Sequence, residues 1–169
     1  MQVRSLARRL FLLTALWSAV SLATVGFVLV TAYRGSVESA FDERLAVHLK
    51  TLIGALAAQP DGAGTFRQPE NPSEPRFELP LSGWYWSVRR VSDDGVVAMS
   101  RSLVGEVVRS PGEVGGQPGR DHVTRAYVDG PEHQRLRVLE RVVDFDGRDR
   151  YRVAVAGNAG DLEADVSHF

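Results

Sequence analysis

The stretch Leu10–Ala32, LFLLTALWSAVSLATVGFVLVTA, decides how the rest of the chain is read. Its 23 residues carry no charge and are rich in Leu, Val, Ala and Phe. At the helical rise of about 1.5 Å per residue it reaches roughly 34 Å, enough to cross a hydrocarbon core of about 30 Å with some tilt. Trp17 and Tyr33 place aromatic groups near the span, Tyr33 at its boundary.

The flanks set an orientation. Arg4, Arg8 and Arg9 precede the span, whereas Arg34 is followed by the acidic Glu38, Asp42 and Glu43. The positive-inside rule then keeps residues 1–9 in the cytoplasm as a basic tail and exports the chain from about Arg34 onward. A cleaved signal peptide would have an apolar core of about 7 to 15 residues and a small-x-small site. This core is longer, and Val30-Thr31-Ala32 is a poor cleavage site, so residues 10–32 are expected to remain as a transmembrane anchor.

Residues 33–157 are expected to form one exported domain, since about 135 residues beyond the span suit a single core. Net charge is −1 and arginine is scattered, which gives no electrostatic footprint for nucleic acid. The chain has no cysteine, so disulfides, cysteine metal sites and thiol catalysis are excluded.

Between Tyr33 and Gln59 there is no proline, and Phe41, Leu45, Leu49, Leu52 and Leu56 fall on one helical face. This predicts that the membrane helix continues outward until Pro60, its stripe packed mostly on the domain's own sheet, with a contact to a second copy nearer the membrane. Pro60–Pro80 reads as a long loop on its five prolines. Trp84, Trp86 and Val88 alternate with Tyr85, Ser87 and Arg89, the period of a half-buried strand. Asp93-Asp94-Gly95 predicts a turn, with Gly95 supplying positive φ, and a return strand from Val96 to about Leu103. The tryptophans should anchor the core rather than cage a ligand.

Val104–Asp121, with five glycines and two prolines, reads as a flexible loop. Three further strands are expected at His122–Val128, Leu136–Phe145 and Tyr151–Ala156, joined at Asp129-Gly130-Pro131 and Asp146-Gly147. From Asn158, a potential cap, Leu162, Val166 and Phe169 begin a helix with no stop signal, so residues 158–169 are expected to lead to a second span beyond the chain. The fold class is therefore α+β: one transmembrane helix, then a long helix on a five-stranded antiparallel sheet.

Little here announces chemistry. His48, His122, His133 and His168 lie far apart, with no zinc-type spacing. No Ser/His/Asp set and no phosphate-binding glycine loop is present. Asp93, Asp94, Glu106, Glu113, Asp121, Asp129 and Glu132 read as solvated turn carboxylates, without the spacing of a cation-binding loop. No catalytic, cofactor-binding or metal-binding residue is assigned.

Three segments, RFELPLSGWYWSV (Arg76–Val88), RVLER (Arg137–Arg141) and VAVAG (Val153–Gly157), resemble the N-terminal region of one proteobacterial group of two-component sensor histidine kinases. The resemblance covers nearly the whole chain without a catalytic motif. It implies a PAS-like (Cache/PDC type) periplasmic sensor held in the inner membrane as a homodimer. A second span, a HAMP linker, a dimerisation/phospho-acceptor domain and an ATP-binding domain would follow. ATP and Mg would belong to that missing kinase part, as would the response-regulator partner; the stimulus ligand is unnamed. Ala164–His168 also resembles the start of the phospho-acceptor box, but Phe169 stands where that box continues with an acid, and the position follows an exported domain, so His168 is not assigned. The alternatives are a membrane-anchored or secreted binding module without a kinase, or a sensor joined to a chemoreceptor or cyclase output.

Overall fold

The computed structural model describes residues 3–58, 74–145, 147 and 149–160. The expected C-terminal helix, with His168, and the part of the proline-rich loop from Pro60 to Ser73 lie outside the described residues. The chain divides into two compact units, Met1–Ala40 and Phe41–Phe169.

A single α-helix, α1, runs over Val3–Ala57. From Arg8 to Tyr33 the side chains face outward all round: Leu10, Phe11, Trp17, Leu22 and Phe27 are 65–78 % exposed. This helix is long and apolar enough to cross a membrane. Thr14, Thr24 and Thr31 donate their hydroxyls to carbonyls one turn back, so an apolar surrounding meets no unpaired side-chain donor from them. In the second unit the character changes to a stripe. Phe41, Leu45, Leu49, Leu52 and Leu56 are all buried, as their spacing predicts.

Five strands form one antiparallel sheet: β1 (Tyr85–Arg90), β2 (Val96–Met99), β3 (Val123–Asp129), β4 (Arg135–Asp144) and β5 (Arg150–Asn158). Their spatial order is β2-β1-β5-β4-β3, so the first and last strands in sequence are neighbours near the middle. The fold is α+β, as expected, with one long helix and five antiparallel strands.

The sheet is buried on both faces. On the helix face, the stripe of α1 meets Trp86, Val88, Val123, Leu139, Tyr151, Val153 and Val155. Gly157 lets the helix come close: a Cβ there would lie 2.7 Å from Phe41 Cζ. On the opposite face Tyr85, Leu136, Val138 and Ala156 are covered by Leu103 and Val108 from the connection between β2 and β3. Period-two alternation thus supplies two cores from the same strands.

Several local expectations need correction. The return strand stops at Met99, and Arg101–Leu103 turns into a 3-10 helix whose Ser102 hydroxyl donates to the Trp84 carbonyl at 2.6 Å. That bond draws the chain across the sheet instead of along it. In the β1–β2 turn the left-handed residue is Asp94 (φ 57°), not Gly95. Val104–Asp121 packs as a cover: it contains a 3-10 helix, Pro111–Val114, and buries Val108, Ser110 and Pro111. Pro75–Glu78 is also 3-10, with Phe77 buried against α1. The helix ends at Ala57, three residues before Pro60.

Candidate functional site

The covered face of the sheet holds the one charged side chain that is buried among the described residues, Glu140, only 6 % exposed. β4 places it there. Leu136, Val138 and Glu140 share a face, so the carboxylate occupies an inward position next to two apolar ones. Across the ladders its neighbours are Thr124 on β3 and Ala154 on β5.

Ser110 reaches Glu140 from above. Its hydroxyl donates to Glu140 Oε1 at 2.9 Å and accepts the Gly112 N–H at 3.3 Å, so it also caps the 3-10 helix. Ser110 with Pro111 in the first turn is a helix-start pair, and Gly115 (φ 83°) closes the turn in the left-handed region. Local capping chemistry therefore aims the serine at the sheet.

Two arginines stand beside the carboxylate. Arg89 of β1 and Arg152 of β5 are directly opposite in register, an arrangement that like charges disfavour. Asp94 resolves it: one oxygen pairs with Arg89 and the other with Arg152 at 2.8 Å. The left-handed turn residue is what carries this carboxylate back over the strands. Glu113 adds a second partner for Arg89 at 3.5 Å. Burial pushes the Glu140 carboxyl above the ordinary glutamate range, opposed by the Ser110 hydrogen bond and the nearby Arg152 and Arg89. The space among Tyr85, Leu103, Ser110, Glu140 and Arg152 is about 10 Å³. That is room for roughly one water molecule.

A second charged cluster sits on the helix face. Asp42 of α1 receives two 2.8 Å bonds from Arg137 and lies 3.4 Å from Arg125 Nε. Tyr127 lies under Arg135 and Arg137, each 4.7 Å from the ring centre.

The sequence-predicted positions separate. Trp84, Tyr85 and Trp86 are buried at 0–4 % and serve packing. His48 lies edge-on to Phe77 and Trp84, at 5.7 and 5.8 Å, and burial lowers its pKa. His122 and His133 are exposed, both in left-handed backbone. Among the described residues no three His, Asp or Glu side chains gather as a metal site. Asp93, Asp94, Glu113 and Asp121 are instead paired with arginines. Sequence reasoning passed over Glu140 and Ser110. The available signal was a charge at an inward strand position, two residues after Val138.

No protein-family model matches this chain, and neither a curated protein nor a solved structure matches it.

Proposed function

We propose that this chain is the membrane anchor and signal-input portion of a two-component sensor histidine kinase. It would relay an extracytoplasmic stimulus to a cytoplasmic autokinase, and through that to a response regulator. The observation that carries this reading is α1. One helical element supplies both an exposed apolar segment of spanning length and the leucine stripe on which the sheet packs. A change in how the sheet grips the stripe would then be felt by the segment in the bilayer.

The α+β architecture is of the kind a PAS-like sensor of the Cache/PDC type requires, and the finer assignment to that type rests on the sequence resemblance. Residues after about 33 would be periplasmic, the N-terminus cytoplasmic, and two copies would associate near the membrane. On the covered face a small organic stimulus would find space only after the 101–114 segment moves, because the existing cavity holds about one water. Such a stimulus must favour one of two arrangements by differential affinity.

Paired fusions at Gly157 test the reading. Alkaline phosphatase there should be active and a fluorescent protein dark. A bright fluorescent fusion with inactive phosphatase would overturn the orientation. A gene without a second apolar span downstream of Phe169 would overturn the kinase assignment.

A further inference from the structure

We propose that Glu140 and Ser110 form a proton-operated latch, which holds the Ser100–Val114 cover on the sheet while Glu140 is protonated and loosens when it ionises. The geometry places the only buried acid among the described residues directly under the cover, joined to it by one 2.9 Å bond. Ser110 is itself 4 % exposed, so both partners lose their water when the cover closes.

The Ser100–Leu103 end of the cover is tied to β1 independently, by the Ser102 hydroxyl donating to the Trp84 carbonyl and the Ser100 hydroxyl accepting the Trp86 N–H, so the latch acts on the part beyond it. Leu103, Val108 and Pro111 point inward, but Val104 and Val107 are 62 % and 53 % exposed. Val104 is also held in left-handed backbone (φ 52°), unusual for a β-branched residue, and Gly105 follows at φ 86°. The outer half of the segment thus stores strain and contributes little burial.

A neutral carboxyl keeps the Ser110 bond without demanding further solvation. An ionised one accepts the Ser110 bond more strongly, which opposes loosening, but burial outweighs that bond: the charge is short of solvation in this space and regains water when the cover lifts. The charged groups around this space are Arg89, Arg152, Asp94 and Glu113, with Arg109 of the cover also on its lining. Arg89 from β1 and Arg152 from β5 favour ionisation; they share the single Asp94 carboxylate, and Arg89 also pairs with Glu113, which weakens their pull on Glu140. Glu113 from the cover opposes ionisation, as does burial, whose effect is the largest. Thr124 on β3 and Ala154 on β5 bring no charge. The closed state therefore binds the proton more tightly than the open one.

As the stimulus of the proposed sensor, the proton rests on the reading above; as a latch, it does not. The test is backbone hydrogen exchange of the full chain in detergent micelles, expressed as protection factors across pH. Opening of the 101–114 segment should rise with pH, by up to about tenfold per unit, from the ordinary glutamate pKa of about 4.3 to the raised pKa of the closed state. Glu140→Gln should keep the cover protected and remove that dependence. If this variant fails to fold, the carboxyl-carbon shift of Glu140 in the unaltered chain should titrate above the ordinary range, together with the Leu103 and Ser110 amides. A Glu140 that titrates in the ordinary range, or matching pH profiles in the variant and the parent, would overturn the latch. Neither result bears on the anchor, and the fusions at Gly157 leave the latch untouched.

Discussion

Asp42 shows how much one side chain can carry. It is 16 % exposed at the side chain and faces two arginines from two different strands. Removing its charge would take the bidentate carboxylate from Arg137, 12 % exposed, and leave its stacking over Tyr127 in place. Breaking such a pair on one side costs about 3 kcal/mol, far more than an exposed ion pair at roughly 0–1 kcal/mol. Asp42→Asn should therefore lower the denaturant midpoint of the Phe41–Phe169 unit by an amount corresponding to about 3 kcal/mol. Exposed pairs should behave differently: Glu78→Gln, which removes a partner 3.2 Å from the 74 % exposed Arg101, should move the same midpoint by less than about 1 kcal/mol. At Val104 the prediction has the opposite sign. Left-handed backbone costs an L-residue about 1–2 kcal/mol, and this side chain buries little, so Val104→Gly should be neutral or stabilising in thermal melts.

At the scale of elements, the grip of the sheet on α1 is an apolar seam with one charged clasp. Leu45 and Leu49 are 0 % and 2 % exposed, and truncating either to alanine should cost about 2–5 kcal/mol. Gly157→Val tests the same seam from the sheet side. Even a Cβ at that position would lie 2.7 Å from Phe41 and 3.2 Å from Leu45. The Phe41 ring and the Leu45 side chain would have to be displaced from the seam, so the variant should increase amide exchange along residues 41–49 while leaving strand pairing of β3 with β4 protected. The leucine spacing made this seam legible in the sequence. The close approach at Gly157 was not, because it depends on which strand falls under which turn of the helix.

For the whole molecule, the deciding feature is the exposed apolar segment of α1. In water a surface of this kind would drive association, whereas in a bilayer it is matched to its surroundings. Leu16→Arg together with Val20→Arg should each add about 3 kcal/mol to insertion at the middle of the span. The doubly substituted chain should move from the membrane fraction to the soluble or aggregated fraction on cell fractionation. Continued recovery in the membrane would mean that this segment is not the anchor.

Local order along the chain was enough to determine the long helix, its buried stripe, the strand alternation and the positions of the turns at Asp93–Gly95 and Asp129–Pro131. Those features depend on residues a few positions apart, and periodicity records them directly. The sequence alone did not place the β2–β3 connection as a cover, because its glycines and prolines read as loose while Leu103, Val108 and Ser110 find their partners some thirty residues away. Nor could it pair Arg89 with Arg152 under Asp94, or set Glu140 beneath Ser110. Those contacts arise from strand order and register, which bring distant residues together and decide what a buried charge meets.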